Sequence, residues 1–298
     1  MSTCAASQKR ARWVFNISTW QPTESQFLLA SACIQEEEKV RIGKFVFRSD
    51  AKASLVGRLL MRKYVSSATG IPYSEVNFLR DEMGKPYVLN PLVNFNVSHH
   101  GDYVVLAGEL ASNKVGVDVM KFEYKTGKEL KEFFSTMSRQ FTPQEWGHIR
   151  GPIGTPASKQ VVMFYRYWCL KESYLKAVGT GISVDLNRVA MMIQEQDLRV
   201  GTIVPNTQVC FDDKLLPSWH FEETLLDEDH CVAVAVSKSS DEDDVGHGWV
   251  SQTFQSLDIN QLMEGSSPLL ESDSCYTREF FKKCEKNTKP CTSASSLL

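Results

Sequence analysis

The chain has 298 residues, of which 42% are hydrophobic and 23% charged, enough for one large domain or two modest ones of ordinary soluble character. Its formal net charge of -3 gives no global attraction to nucleic acid or anionic membrane. Eight cysteines include no Cys-x-x-Cys pair, which leaves zinc-ribbon and thioredoxin chemistry unsupported, and no apolar stretch approaches the roughly 20 residues that span a bilayer.

Residues 1–12 are small, polar and then basic, and are expected to form a flexible N-terminus without a secretory signal, which places the thiols in the reducing cytosol. Residues 18–20 read as short and β-like. Glu36-Glu37-Glu38 leads into a helical pattern, and over 49–65 the side chains Leu55, Leu59, Leu60, Met61, Tyr64 and Val65 recur at helical spacing. Ser49 or Asp50 would cap that helix and Gly70 ends the region. Arg58, Arg62 and Lys63 read mostly as a solvated basic face. Three strand-like runs, 95–98, 103–107 and 115–120, are separated by His99-His100-Gly101-Asp102 and a Ser112-Asn113 turn, which suits an antiparallel meander. A linker containing Gly127 leads to Phe133, Phe134 and Thr142-Pro143-x-Glu145, the start of a short helix, and 151–156 is a loop. A strong helix is predicted over 158–178, stopped by Gly179-Thr-Gly181, with strands over 209–211, 219–222 and 231–236. Helix then short antiparallel strands therefore occurs twice, which points to an α+β protein of two similarly built halves, 13–126 and 127–238. Residues 239–298 are acidic at 241–244 and then rich in Ser, Thr, Lys and Asn, with apolar anchors only at 254–263 and Phe280-Phe281. A largely flexible tail with room for one docked segment is expected.

Four segments carry candidate chemistry. On the wheel of the 158–178 helix, Phe164, Tyr167, Tyr174, Leu175 and Val178 form a core stripe. Glu172 and Lys176, four apart, project together on a neighbouring flank with Tyr165 and Cys169, and Trp168 at its edge. Taken alone, that pair reads as an ordinary ion pair worth a few tenths of a kcal/mol. Asp118 within Val115-Gly116-Val117-Asp118-Val119-Met120 is a carboxylate in an apolar run, where burial without a partner is costly. A cation would explain it as well as a solvent-facing strand end would. Magnesium takes one or two protein carboxylates and completes its shell with phosphates and water, which makes Asp118 and Glu172 together the better case. Asn94-Phe95-Asn96-Val97-Ser98-His99-His100-Gly101-Asp102 offers a hydroxyl, an imidazole and free amides suited to phosphate oxygens, against the rival reading of a solvated hairpin turn. A serine hydrolase is poorly supported, since adjacent Ser98 and His99 point to opposite faces of a strand and no G-x-S-x-G exists. In Arg80-Asp81-Glu82-Met83-Gly84-Lys85-Pro86-Tyr87, Gly84 permits a tight turn that could place Arg80 and Lys85 about a phosphate, as any surface turn could.

In this order the segments resemble the phosphopantetheinyl transferase superfamily, surfactin-synthetase-activating type, over about residues 13–238. The resemblance rests on Val-Gly-Val-Asp118, then about fifty residues on Trp168-x-x-Lys171-Glu172-Ser-Tyr-x-Lys176-Ala-x-Gly179, with Gly84-Lys85-Pro86 and Asn96-x-Ser98-His99 in support. Arg41-Ile-Gly-x-Phe-Val-Phe and Asp50-Ala-Lys-Ala make it most similar to the animal, aminoadipate-semialdehyde dehydrogenase branch. The resemblance implies a pseudo-twofold pair of α+β halves, each a small antiparallel sheet with a packed helix, and coenzyme A in the cleft between them. It implies magnesium on Asp118 and Glu172, Glu172 as base for a carrier serine, and Lys176 on the pyrophosphate. Arg41, the stretch Arg80, Asp81, Glu82, Met83, Gly84 and Lys85, and Asn96, Val97, Ser98 and His99 would grip the nucleotide end. Bacterial members often carry Asp-x-Glu on the metal strand; here the second position is Met120, which leaves water or His100 as a third ligand.

The implied reaction moves 4'-phosphopantetheine from coenzyme A to a serine of apo acyl or peptidyl carrier proteins, including carriers of the fatty-acid synthase and aminoadipate-semialdehyde dehydrogenase type, with release of 3',5'-ADP. A monomer is expected, with neither nucleic acid nor membrane as partner. Lys44, Arg48, Lys52, Arg58 and Arg62 are candidates for a basic rim that steers acidic carriers or holds nucleotide phosphate. The alternatives are a coenzyme A-dependent acyltransferase and a non-catalytic coenzyme A or carrier-protein-binding module.

Overall fold

The runs 103–110, 115–121 and 230–237 are largely apolar at alternate and intervening positions alike, as strands are when each face is covered. The computed structural model describes residues 9–124, 129–179, 184–238 and 250–285. Its first half contains β1 (Arg10–Asn16), α1 (Glu24–Ala32), α2 (Glu36–Gly43), α3 (Arg48–Thr69), a hairpin of β2 (Leu79–Arg80) and β3 (Pro86–Tyr87), then β4 (Val93–His100) and β5 (Tyr103–Leu110). The second contains β6 (Val115–Lys121), α4 (Leu130–Thr136), α5 (Pro143–Arg150), α6 (Ala157–Val178), β7 (Val189–Met192), β8 (Gln208–Phe211), β9 (Lys214–Leu215), β10 (Trp219–Asp227) and β11 (His230–Ser237). Beyond these lie β12 (Gln255–Ser256), α7 (Ile259–Met263) and α8 (Ser274–Lys282).

The strand orders β12-β1-β5-β4 and β10-β11-β6 make two sheets, each with an antiparallel hairpin paired to an earlier strand. Alternation sorts their side chains. Val105 and Ala107 of β5, Val115, Val117 and Val119 of β6, and Val232, Val234 and Val236 of β11 form one layer between the sheets. The opposite faces meet the helices: Val104 and Leu106 join the α3 core, and Cys231, Ala233 and Ala235 the α6 core. The α+β architecture of two similar halves is thus helix, sheet, sheet, helix. α5 begins with a Thr142–Glu145 capping box and Pro143 in its first turn, as its sequence signature specifies.

Three expectations change. The run 115–120 does not complete a meander: β6 pairs with β11, Val117 opposite Val234, so the boundary between the sheets falls between β5 and β6 rather than near residue 126. Between β4 and β6 the link is made by side chains. The Val117 amide donates to Asn96 Oδ1 at 3.0 Å and the Lys121 amide to His100 Nδ1 at 2.8 Å. The first strand is not at 18–20 but at Arg10–Asn16, where the basic residues disguise it. Arg12 is fully buried, with Nη2 donating to Glu109 at 2.7 Å and Nε to Glu222 at 2.6 Å, so its charge ties the two sheets together. Nor is the α3 basic face solvated. Arg62 is buried and donates to the carbonyls of Tyr73 and Val76, and Arg58 pairs with Glu38 at 2.9 Å.

Residues 250–285 run along the first half, β12 beside β1 and α8 against α1, with Phe280 stacked on Phe27 at 3.7 Å. Of the flexible stretches expected at 1–12 and 239–298, residues 1–8, 239–249 and 286–298 lie outside the described residues, as do Gly127 and Gly181. Among the described residues no helix is long and apolar enough to cross a membrane.

Candidate active site

β6 reaches α6 more closely than a side chain would permit. A Cβ on Gly116 would stand 2.1 Å from the Ser173 carbonyl oxygen and 2.4 Å from the Ala177 nitrogen. Two residues on, the same face of β6 presents Asp118 to the last turns of α6, which carry Glu172 and Lys176. Asp118 Oδ1 accepts from Lys176 Nζ at 2.6 Å and from Ser98 Oγ at 2.7 Å, and Lys176 also donates to Ser98 Oγ at 2.9 Å. The other carboxylate oxygen, Oδ2, is buried and accepts no hydrogen bond among the described residues. Cys169 donates its thiol to the Asp118 carbonyl at 3.1 Å and so fixes the peptide that bears this carboxylate. Burial first, and the Asp118 carboxylate second, push the Glu172 carboxyl above its usual range, while Lys176 works the other way.

A cleft of about 1050 Å³ opens here, lined by Gly84, Lys85, Pro86 and Asn96 from the first half and by Gln140, Trp168, Glu172, Leu175 and Lys176 from the second. The hairpin turn is organised by Asp81, whose Oδ1 accepts from the Met83 amide at 3.0 Å and the Lys85 amide at 2.8 Å, with Gly84 at φ +80°. Arg80 holds that turn through the Gly84 carbonyl, 2.5 Å away, and is paired with Glu38. Lys85 Nζ crosses to donate to the Lys176 carbonyl at 3.0 Å, and burial, the main cause, lowers its pKa. Asp81, Glu82 and Met83 are exposed, and Met83 lies on the rim of the cleft.

Two smaller cavities continue the cleft along α3. One, of about 180 Å³, includes Arg58, Lys85, Pro86, Asn96, Val97 and His99; the other, of about 310 Å³, is lined by Glu38, Arg41, Lys44, Phe45, Ser54 and Arg58. His99 is exposed as a residue, yet desolvation, followed by the Lys176 cation, keeps its imidazole below the usual range against the pull of Asp50. Among the described residues the side chains of Arg41 and Lys44 make no ion pair or hydrogen bond. Of the expected basic rim, Lys44 and Arg58 line these cavities, with Arg58 paired to Glu38 at 2.9 Å. Lys52 is buried and donates to the Trp20 carbonyl at 2.8 Å, Arg62 is internal, and Arg48 is bound to Glu285 at 3.0 Å.

The structure therefore brings Asp118, Glu172, Lys176, Ser98, Asn96, Lys85 and Gly84 to one cleft, and His99, Val97 and Arg41 to its extension. Gln140 and Leu186 of the cleft wall lack any signal in the sequence; both are fixed by Lys171, whose Nζ donates to their carbonyls at 3.0 and 2.9 Å. Lys171 also pairs with Glu145 at 2.6 Å and is completely buried, so within Trp168-x-x-Lys171-Glu172 the lysine serves architecture. Asp118 Oδ2 and the Glu172 carboxylate suit a hard divalent cation. Among the described residues no cluster of three His, Cys, Asp or Glu side chains surrounds one, and His100 Nδ1 is engaged by the Lys121 amide. Met120 packs against the second core.

Residues 6–111 match the family model described as 4'-phosphopantetheinyl transferase, N-terminal, and residues 114–235 that of the 4'-phosphopantetheinyl transferase superfamily. The chain is 40% identical over 286 residues to the L-aminoadipate-semialdehyde dehydrogenase-phosphopantetheinyl transferase of Xenopus laevis, covering 92% of each. It is 38% identical over 291 residues to the protein of that name from Homo sapiens, covering 92% of this chain and 93% of that protein. Identity to the 4'-phosphopantetheinyl transferase of Bacillus subtilis is 30% over 190 residues, 63% of this chain and 78% of that protein.

Proposed function

The chain belongs to the 4'-phosphopantetheinyl transferase superfamily and transfers phosphopantetheine to carrier proteins, and from that premise we propose that coenzyme A lies along the cleft with magnesium held between Asp118 and Glu172. The observation that carries this reading is the buried Asp118 Oδ2, which accepts no hydrogen bond among the described residues and lies beside a carboxyl that burial, and then Asp118, push upward. Lys176 neutralises one oxygen of this acidic pair, Asp118 Oδ1, and a divalent cation on Oδ2 and the Glu172 carboxylate would neutralise the rest.

In this arrangement the carrier serine oxygen attacks the phosphorus that bears the pantetheine arm. The bond from that phosphorus to the bridging oxygen breaks, and the adenosine-side phosphate leaves as 3',5'-ADP. Glu172 takes the serine proton, directly or through a water. Lys176, fixed by Asp118 and Ser98, sets an ammonium beside the diphosphate, where charge grows on the departing oxygen. Magnesium, when bound, supplies charge neutralisation across both phosphates. The nucleotide end extends towards His99 and then Arg41, Lys44 and Arg58, whose cations suit its 3'-phosphate.

The carrier domain of an aminoadipate-semialdehyde dehydrogenase is the first substrate to try, by the names of the animal relatives, and an acyl carrier of fatty-acid synthesis the second. The six described cysteines are free thiols, which suits the reducing cytosol, where we place the enzyme as a monomer. The test is mass spectrometry of each apo carrier after incubation with the protein, coenzyme A and magnesium. One added phosphopantetheine per carrier with equimolar 3',5'-ADP is expected. Transfer that proceeds undiminished in excess chelator would overturn the metal assignment.

A further inference from the structure

Residues 273–285 pack against the elements that form the third cavity. Helix α2 leaves its last carbonyls without intrahelical partners, as every helix does. The chain meets them with its own C-terminal part: Lys283 Nζ donates to the Gly43 carbonyl at 2.8 Å and to the Phe45 carbonyl at 2.5 Å. One turn earlier, Tyr276 Oη donates to the Lys39 carbonyl at 3.0 Å, and Lys39 Nζ pairs with Asp273 at 3.0 Å. The corner after α2 is bonded too, the Arg48 amide donating to the Cys284 carbonyl at 2.9 Å. Arg41, in the last turn of α2, and Lys44, its C-cap, lie between these fastenings and line the cavity.

We propose that residues 273–285 are a brace that positions Arg41 and Lys44 for the 3'-phosphate of coenzyme A, with Lys283 and Tyr276 as its positioning residues. The proposal rests on the reading above that this cavity takes that phosphate. Lys283 holds the turn through carbonyl oxygens and leaves both cations turned to the cavity. Loss of the brace lets the turn move, which weakens nucleotide binding and leaves the distant Asp118–Glu172 chemistry intact.

The experiment measures KM and kcat with coenzyme A and with 3'-dephospho-coenzyme A at saturating apo carrier protein, for wild type and for Lys283→Met, Tyr276→Phe, Lys283→Arg and Arg41→Ala. For Lys283→Met the KM for coenzyme A is expected to rise about five- to tenfold, the equivalent of one charge-assisted contact. The KM for the dephospho form and both kcat values are expected to stay within about twofold. Tyr276→Phe moves in the same direction by less, and Lys283→Arg restores the difference between the two substrates. A parallel rise in both KM values, or none in either, overturns the brace. Arg41→Ala separates the two levels. If it too leaves the two substrates as far apart as in wild type, the phosphate assignment falls and the brace with it. If it removes the difference while Lys283→Met does not, the brace alone falls.

Discussion

Gly116→Ala is the sharpest perturbation of the site, because it touches none of the proposed reacting groups. The added methyl would lie 2.1 Å from the Ser173 carbonyl oxygen, about 1.3 Å short of the 3.4 Å at which ordinary contact begins, and the obstacle is helix backbone rather than a flexible side chain. β6 and α6 must therefore part by roughly 1 Å, which separates Asp118 from Glu172 and Lys176. A misplacement of that size costs about 10²-fold in rate, and the overpacking costs about 1–3 kcal/mol of stability. The assay is single-turnover transfer to an apo carrier, followed by mass spectrometry, with a thermal melt on the same samples. Gly108→Ala is the control: its methyl would be 2.4 Å from the Tyr64 ring, in the other half, so it should lower Tm without lowering the rate per folded molecule. Equal rates for Gly116→Ala and wild type, or an equal loss in both variants, would refute the account of how the site is held.

Glu172→Gln should lose about 10²–10⁴ in turnover and yet melt higher than wild type at neutral pH without divalent cation. The sign follows from the raised Glu172 pKa: its protonated form favours the fold, and that contribution fades as pH rises through the folded value, above the usual carboxylate range. The Tm difference should shrink at acid pH and on adding magnesium, and a difference independent of both would contradict the desolvated pair. Lys171→Met strands the buried Glu145 carboxylate, so equilibrium unfolding should show a loss of about 3–5 kcal/mol. The proton-transfer step should be unaffected in the molecules that remain folded, and a pH–rate profile displaced from wild type would show instead that Lys171 acts in the reaction.

Asp118 within Val-Gly-Val-Asp-Val called for a partner and four-residue spacing put Glu172 and Lys176 on one flank, but each alone read equally well or better as something ordinary, and it was the ordered motifs of the family resemblance that joined them. The two-half plan was legible because each half repeats a long periodic helix followed by short strands. What the sequence hid was long-range. Arg12 looked like part of a basic tail because its partners Glu109 and Glu222 lie on strands far along the chain. Lys171 had no role assigned to it beyond its place in the motif, because Glu145, Gln140 and Leu186 surround it only in the fold. The partner of β6 was assigned to its sequence neighbour β5, since an apolar run shows that a strand is buried on both faces without showing which edge it takes. Residues 250–285 were hard to read for a related reason: their apolar side chains are sparse, and Phe280 gains its burial from Phe27 on a distant helix.

The most direct test of the shared cation is Mn2+ binding followed by electron paramagnetic resonance with coenzyme A present, for wild type, Asp118→Asn and Glu172→Gln. One ion per chain is expected for wild type, with affinity weakened by roughly tenfold or more in each variant. Wild-type affinity in either variant would mean that the carboxylates of β6 and α6 do not hold one ion between them.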